Sequence, residues 1–249
     1  MQRYFIFLSY DGTHYHGWQS QPNALTVQQR LEEVLSLLMG SPTVVTGAGR
    51  TDAGVHARMM AAHFDAPGPL DTHHLAFKMN SLLPTDIAVS QVRAVKPDAH
   101  ARFSPISRTY RYYLALRKNP FNTLYTCRFY LPLDFKRMNE AAQLLLHHSD
   151  FGSFCKAHSD NKTNLCNITH ARWEQSDNGD YYFEIRADRF LRNMVRAIVG
   201  TLLQVGKGKL TLSGFENIIL QGTRTAAGDS VPARGLFLED IEYPDNIYM

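Results

Sequence analysis

Residues Gly47–Gly54, with the sequence GAGRTDAG, form a glycine-rich stretch between two β-prone segments, 43–46 and 58–65. The stretch lacks the Gly-Lys-Ser/Thr ending of a nucleotide-binding loop, and it does not fit the dinucleotide-binding fingerprint. Its glycines allow unusual backbone torsions and close approach to a ligand. Asp52 is therefore predicted to lie on a tight loop between strands, a common position for catalytic side chains. An ordinary Asp-containing turn fits the same pattern.

The sequence around this loop predicts alternating strands and helices. A strand is expected at 3–10, followed by a helix that begins after Thr26, with Gln29 completing a capping box and Gly40 ending the helix. Apolar residues at helical spacing support that helix, namely Val27, Leu31, Val34, Leu35 and Leu38. The remaining predicted elements are a helix at 71–81, strands at 86–95 and 107–117, a helix at 134–148, strands at 168–175 and 180–188, helices at 190–205 and 211–221, and a strand at 235–243.

This order of elements predicts the fold class. Strands and helices intermix, and the turn at 176–180 is typical of a hairpin, which favours an α+β fold with a mostly antiparallel central sheet. The second half of the chain loosely repeats the first. We therefore predict two similar halves that share the sheet, 1–104 carrying the Asp52 loop and 105–249 completing the site.

Composition indicates a globular protein. Hydrophobic residues make up 44% and charged residues 20% of the 249 residues. No apolar run reaches the roughly 18–20 residues needed to span a bilayer, and the N-terminal apolar stretch is interrupted by polar residues, unlike a signal peptide. The 3 cysteines are too few and too scattered for a disulfide framework. A cytoplasmic location is expected.

Positive charge is concentrated in two stretches, although the net charge is only +3. Neither stretch contains an acidic residue, so both could form a positive surface that binds a polyanion such as nucleic acid. The same pattern fits equally well with two ordinary solvent-exposed faces of the protein. Their basic residues are Arg102, Arg108, Arg111, Arg117, Lys118 and Arg128 in the first, and Arg189, Arg192, Arg196, Lys207 and Lys209 in the second. The predicted helix at 190–205 would place Arg189, Arg192 and Arg196 along one edge, beside an apolar stripe.

Cysteine and histidine spacing raises a metal alternative. Cys155, His158, Cys166 and His170 have spacing compatible with zinc, but the interval between the two pairs is shorter than in usual zinc fingers. The His-x-Glu and Cys-x-x-Cys pattern of zinc deaminases is not found in the sequence. A zinc-dependent nucleic-acid protein therefore stays a weaker hypothesis.

Ordered motifs along nearly the whole chain resemble one family. The segment Gly49–Ala57 (GRTDAGVHA) is similar to the signature of the TruA family of tRNA pseudouridine synthases. Further segments resemble the same family in the same order: 10–13 (YDGT), 17–21 (GWQSQ), 26–28 (TVQ), 80–84 (NSLLP), 101–104 (ARFS), 108–112 (RTYRY), 190–196 (FLRNMVR) with Gly200, and 235–238 (GLFL). The resemblance is weakest over 120–170.

The resemblance implies a cofactor-free isomerase, with helices on one side of the sheet and an active-site cleft on the other. Asp52 would act as nucleophile or as a base towards the sugar, and Arg196 would hold its carboxylate ionised. Tyr110 would stack on the target base and could assist proton removal from its ring carbon, and Leu236 would pack on the other side of the base. Arg50 would help to extrude the base from the stem or would fill the space that it leaves.

The same resemblance implies the substrate and the assembly. The uridines would be those at positions 38 to 40 of the tRNA anticodon stem-loop, and the protein would be a homodimer. Candidate tRNA phosphate contacts are Arg102, Arg108, Arg111, Arg189 and Arg192. A non-catalytic RNA-binding or RNA-chaperone module on the same scaffold is the alternative function.

Overall fold

The computed structural model describes residues 1–156 and 162–249, which form two compact units. The first unit contains Met1–Ile106 and Leu238–Met249, and the second contains Ser107–Phe237. Five α-helices lie in the described ranges, and the strands of each unit pair mostly antiparallel. The α+β prediction is therefore confirmed.

The first unit is built on a long antiparallel core of three strands. β1 (Gln2–Tyr10) lies between β3 (His56–Ala66) and β4 (Ile87–Val95), and the short β2 (Thr46–Gly47) pairs with β3. β1 is buried along most of its length, as expected for a central strand that is covered on both faces. β9 (Leu236–Glu242) runs from the last residues of the second unit into the first.

Two helices pack in the first unit, α1 (Val27–Met39) and α2 (Thr72–Leu82). The Thr26 side chain accepts a hydrogen bond from the Gln29 amide, and Gly40 ends α1 with a φ of 68°, as predicted. The Gln29 side chain, however, donates to Glu33 in the next turn. Only the Thr26 half of the predicted capping box is therefore seen.

The second unit has the strand order β5 (Ser107–Ala115), β8 (Tyr181–Ala187), β7 (Ile168–Gln175), and β6 (Cys127–Arg128) pairs with β5 in parallel. β7 and β8 form the predicted hairpin, whose turn is closed by a hydrogen bond from the Ser176 amide to the Asp180 carbonyl. Its helices are α3 (Phe135–Leu144), α4 (Met194–Gly206) and α5 (Leu212–Gln221).

The start of α4 corrects a prediction. The helix begins at Met194 and not at 190, because Asn193 adopts the left-handed conformation with a φ of 67°. A left-handed residue cannot continue a right-handed helix, so Arg189 and Arg192 lie before α4 and only Arg196 lies on it. The predicted edge of three arginines along one helix is wrong.

Two further elements differ from the sequence prediction. Residues 43–45 are not a strand, because their amides are bound by side chains: Ser36 accepts from Thr43 and Glu32 accepts from Val45. The α-helix predicted over 134–148 ends at Leu144 and continues as a 3-10 turn to His147. In the described residues, no helix is both long enough and apolar enough to cross a membrane.

Candidate active site

Asp52 begins a tight turn in the first unit. The Val55 amide donates to the Asp52 carbonyl at 3.1 Å, and Gly54 has a φ of 75° inside the turn. Residues other than glycine strain at that φ, so the sequence Asp-Ala-Gly-Val suits this turn. Asp52 itself is half-buried, the preceding Thr51 is buried, and Arg50 is exposed. The loop thus presents one partly shielded carboxylate beside an exposed cation.

Hydrogen bonds from the last residue of β1 and from the segment that follows it hold this loop. The Tyr10 and Thr51 hydroxyls lie 2.9 Å apart in a buried site. The Trp18 amide donates to the Thr51 carbonyl, and the Gly54 amide donates to the Tyr15 carbonyl, both at 3.3 Å. The sequence motifs 10–13 and 17–21, together with Tyr15 between them, therefore form one structural feature with the motif 49–57 and brace the backbone on both sides of Asp52.

Glycines permit the close approach of these two segments. A Cβ on Gly12 would overlap the Val55 carbonyl, and one on Gly17 would overlap the Thr51 carbonyl. Gly17 also has a φ of 87°, where other residues are strained. On the other side of the loop, a Cβ on Gly47 would overlap the Trp18 ring, which is only 2% exposed. The position of Asp52 is thus defined by backbone packing.

A buried histidine lies just after the loop. His56 is 1% exposed, and its Nδ1 accepts from the Gly12 amide at 3.1 Å. Accepting that bond requires the neutral tautomer with the proton on Nε2. The Asp11 carboxylate lies 3.0 Å from the same Nδ1 and can accept from it only when Nδ1 carries a proton, a state in which Nδ1 cannot accept from the Gly12 amide. Sequence reasoning assigned no role to Asp11 or His56, although both stand in the quoted family motifs.

Tyr110 lies on β5 in the second unit, opposite Ile185 of β8. Its half-buried ring meets the edge of Phe190 with ring centres 5.1 Å apart and planes at 84°. Edge-to-face packing of this kind orients both rings. Phe190 is thus a positioning neighbour that the sequence analysis did not identify, and its place in the motif 190–196 was the available signal.

Arg196 lies in the first turn of α4 and is held at two points. Its Nε donates to the Val231 carbonyl at 2.8 Å, and its own carbonyl accepts from the Val231 amide at 3.2 Å. Next to it, the Asn193 side chain donates to the Ser230 hydroxyl at 2.6 Å. A Cβ on Gly200 would overlap the Asp229 carbonyl, so glycine lets this segment approach the helix. The guanidinium orientation is therefore set by segment 229–231.

Leu236 begins β9 and is 6% exposed. The preceding Gly235 lies against Tyr112, whose hydroxyl donates to the Pro232 carbonyl at 3.0 Å. Burial strongly raises the pKa of Tyr112, so this phenol stays protonated and serves as a donor. Tyr112 thereby fixes the chain just before Leu236.

The candidate phosphate-contacting arginines differ in their surroundings. Arg111 is paired with Glu184 at 2.7 Å, and Arg108 donates to the Asp188 carbonyl at 2.7 Å. Arg102 and Arg192 are exposed, and Arg189 is half-buried. Because Arg111 already faces a carboxylate, it offers less net charge to RNA than the exposed arginines do. The pairing depends on the β5–β8 register and is invisible in the linear sequence.

The zinc alternative gains no support from residues 1–156 and 162–249, where no group of three or more His, Cys, Asp or Glu side chains could hold a metal ion. Cys155 and Cys166 are buried thiols, and burial raises the pKa of Cys166 to about 12. His170 faces Glu184 at 3.6 Å. The fourth predicted ligand, His158, lies outside the described residues.

Comparison with known proteins identifies similar sequences over the full chain. The model of a family described as tRNA pseudouridine synthase matches residues 6–104 and 141–244. A tRNA pseudouridine synthase A of Bacteroides fragilis is 57% identical over 249 residues, covering 100% of this chain and 99% of that protein. One from Bacillus pumilus is 39% identical over 240 residues, covering 95% and 97%. The family model omits 105–140, which includes Tyr110, whereas the Bacteroides protein spans it.

Proposed function

The chain belongs to the tRNA pseudouridine synthase family, and from that premise we propose that it isomerises uridines at positions 38 to 40 of the tRNA anticodon stem-loop with Asp52 as the catalytic carboxylate. The observation that carries the role of Asp52 is its place in a loop braced at Thr51 and Gly54 by the segment 10–18. A carboxylate that must attack a sugar or remove its proton has to be held in one geometry, and a braced loop provides that.

The reaction is balanced without a cofactor. The bond between the uracil nitrogen and the ribose carbon breaks, the base turns over, and a ring carbon forms the new bond to the same ribose carbon. The ring carbon loses its proton to a base or to solvent, and the departed nitrogen takes up a proton in its place. Electrons and atoms are conserved, so what the protein supplies is a carboxylate, orientation and a route for one proton.

Two further catalytic residues, Arg196 and Tyr110, and one substrate-binding residue, Leu236, complete the proposed active site. Arg196 is proposed to keep the Asp52 carboxylate ionised and oriented, and its fixed Nε supports a positioning role. Tyr110 is proposed to stack on the target base, supported by a ring already oriented by Phe190. Leu236 is proposed to pack on the other face of the base.

Extrusion of the base and tRNA binding are proposed for the basic residues. The exposed Arg50, two residues before Asp52, would occupy the space that the flipped uridine leaves. Phosphate contacts are proposed for Arg102, Arg108, Arg111, Arg189 and Arg192, with the exposed members contributing most. We further propose a cytoplasmic homodimer as the working form.

The test is tritium release from tRNA labelled at C5 of its uracils, measured with wild type, Asp52→Asn and the control Asp98→Asn. Asp98 is also an aspartate of the first unit, but it is exposed and lies outside the loop. We expect release by wild type and Asp98→Asn and none by Asp52→Asn, with all three binding tRNA. Full release by Asp52→Asn would remove Asp52 from the mechanism. If wild type bound tRNA but released nothing, a non-catalytic RNA-binding module would be the better description.

The target site has a separate readout. Sequencing of the reacted tRNA after chemical marking of pseudouridine should place the product at positions 38 to 40. Pseudouridine at other positions, formed by a reaction that still requires Asp52, would contradict the proposed target site. The catalytic role of Asp52 would then still hold.

A further inference from the structure

Phe103 is a large aromatic residue that the fold leaves in solvent. Its side chain is 75% exposed, and it follows the exposed Arg102 in the turn that comes after β4. The proposed function gives Arg102 a phosphate contact and gives Phe103 no role. An exposed phenylalanine on its own needs no explanation. The structure around this one, however, holds it in place.

The turn that carries Phe103 is closed by several hydrogen bonds centred on His100. The His100 carbonyl accepts from the amides of Phe103 at 3.2 Å and Ser104 at 2.9 Å. The His100 amide donates to the Ser104 hydroxyl at 2.9 Å, and its ring Nδ1 accepts from the Arg102 amide at 3.1 Å. These bonds fix the backbone on both sides of Phe103.

Ring contacts fix the side chain as well. The Phe103 ring lies on His100 with centres 4.4 Å apart, and His100 lies against His63 at 4.6 Å. His63 is buried at 7% exposure, and its Nδ1 accepts from the Ala101 amide at 3.1 Å. Burial lowers the pKa of His63 to about 4, so this ring is neutral near pH 7. The three rings form a continuous series of contacts from the interior to the surface, edge-to-face between His63 and His100 and tilted between His100 and Phe103, which we call the His63–Phe103 stack.

A cation stands beside the exposed end of this stack. The guanidinium carbon of Arg102 lies 5.5 Å from the centre of the Phe103 ring. No acidic residue occurs in the sequence between Asp98 and Asp134, so residues 99–104, which carry Arg102 and Phe103, add no negative charge of their own. A rigid aromatic face with an adjacent arginine matches the chemistry by which proteins bind unpaired nucleotides.

We propose that Phe103 is a stacking platform for an unpaired base of the tRNA and that Arg102 binds a phosphate next to that base. The proposal rests on tRNA being the substrate, as the proposed function states. Preorganisation supports it, because a side chain that is already ordered loses little conformational entropy on binding. Phe103 is thus assigned to substrate binding and not to the chemical step.

The first experiment measures the dissociation constant for an unmodified tRNA transcript by filter binding. The variants are Phe103→Ala, Phe103→Leu and Phe103→Trp, and Phe77→Ala is the matched control, because Phe77 is an exposed phenylalanine of α2 in the same unit. Loss of one base–aromatic stack corresponds to weaker binding by roughly 5- to 150-fold. We expect that loss in Phe103→Ala and Phe103→Leu, binding within about threefold of wild type in Phe103→Trp, and no change in Phe77→Ala.

Two readouts separate stacking from charge. The slope of log Kd against log salt concentration, which reports the number of phosphate contacts, should be unchanged in Phe103→Ala. In Arg102→Gln the slope should fall by the amount that corresponds to about one phosphate contact. In Phe103→Trp, tRNA should quench the fluorescence of the new indole. The same titration of wild type gives the background from the native Trp18 and Trp173, which are 2% and 3% exposed.

Each outcome decides the proposal. Binding by Phe103→Leu equal to wild type would show that apolar contact and not stacking is needed, and would overturn it. Unchanged tRNA binding by Phe103→Ala would also overturn the proposal. If light scattering then showed that the substitution abolishes a dimer, Phe103 would contact a second copy of the chain and not a base. Tritium release by wild type is scored independently. If wild type releases tritium and Phe103→Ala binds tRNA as wild type does, only this inference is wrong. If wild type releases no tritium and tRNA binding depends on Phe103, only the proposed catalytic function is wrong.

Discussion

The hydroxyl groups of Tyr10 and Thr51 lie 2.9 Å apart in a buried site, so the end of β1 is bonded directly to the residue before Asp52. Both side chains are well shielded, with Tyr10 4% and Thr51 8% exposed. A buried neutral hydrogen bond contributes about 1 kcal/mol to folding. Here the bond also fixes the backbone from which the Asp52 carboxylate, the proposed catalytic group, projects.

Tyr10→Phe therefore should lower the free energy of unfolding by about 1 kcal/mol and also reduce the single-turnover rate of uridine isomerisation. The rate should fall because the Asp52 backbone gains freedom while the tyrosine ring still fills its site. Urea unfolding and single-turnover tritium release measure the two effects. Tyr4→Phe is a suitable control, because its hydroxyl accepts from the Leu70 amide far from the loop. An unaltered rate in Tyr10→Phe would limit this bond to a role in stability.

Gly17→Ala should damage the same loop through its backbone. The added Cβ would overlap the Thr51 carbonyl, and the φ of 87° strains any residue with a Cβ. We expect a loss of about 2 kcal/mol or more in the free energy of unfolding, and a large loss of turnover. Gly49→Ala is the matched control, because nothing lies within 4 Å of its added Cβ. Equal effects of the two substitutions, measured by urea unfolding, would contradict the close approach at Gly17.

Local sequence patterns predicted the elements whose signals are local. The first helix is an example: Thr26 caps it and Gly40 ends it in the left-handed conformation, and both residues directly flank the helix in the sequence. Residues 43–45 show the opposite case. Their β-branched side chains favour a strand, but the Thr43 and Val45 amides are bound by side chains of α1, which no local pattern reveals.

In the candidate site, too, the features with local signals were predictable and those that depend on the folded chain were not. The motif that contains Asp52 predicted a loop between strands, and the structure has that loop between β2 and β3. Helical spacing alone grouped Arg189 and Arg192 with Arg196, because periodicity does not report that Asn193 takes a positive φ. The pairing of Arg111 with Glu184 follows from their facing positions in β5 and β8, which requires the strand register.

Arg196→Ala should lower turnover far more than tRNA affinity. Its proposed task is to orient the Asp52 carboxylate, and its own guanidinium is fixed through the Val231 carbonyl at 2.8 Å. Arg196→Lys should lose most of the same turnover, because an ammonium cannot reproduce the guanidinium fork. Single-turnover rates and filter-binding constants separate the two quantities. Arg192→Ala, an exposed arginine just before the helix, is the control and should affect binding alone. Equal modest losses in rate and binding for Arg196→Ala would place Arg196 among the phosphate contacts.

His63 should make folding stability depend on pH below about 6.5. Burial is the main reason why its pKa falls from 6.5 to about 4 in the folded protein, and the charges of Arg3 and His100 lower it further, while Asp65 opposes them. Between those two pKa values the unfolded chain takes up a proton that folded His63 refuses. The stabilising effect of neutral His63 is therefore complete above about pH 6.5 and declines as the pH falls towards 4, by at most about 1.4 kcal/mol per pH unit.

The measurement is the free energy of unfolding in urea at several pH values from 7.5 to 4.5, for wild type and His63→Gln. Glutamine does not titrate, and its side-chain carbonyl can still accept from the Ala101 amide that His63 Nδ1 now binds at 3.1 Å. All other titrating groups, including His100, are common to both proteins. The stability of wild type relative to the variant should thus decline steadily as the pH is lowered through this window. A difference that stays constant from pH 7.5 to 4.5 would mean that His63 titrates alike in the folded and unfolded protein, contrary to the burial seen beneath the Phe103 turn.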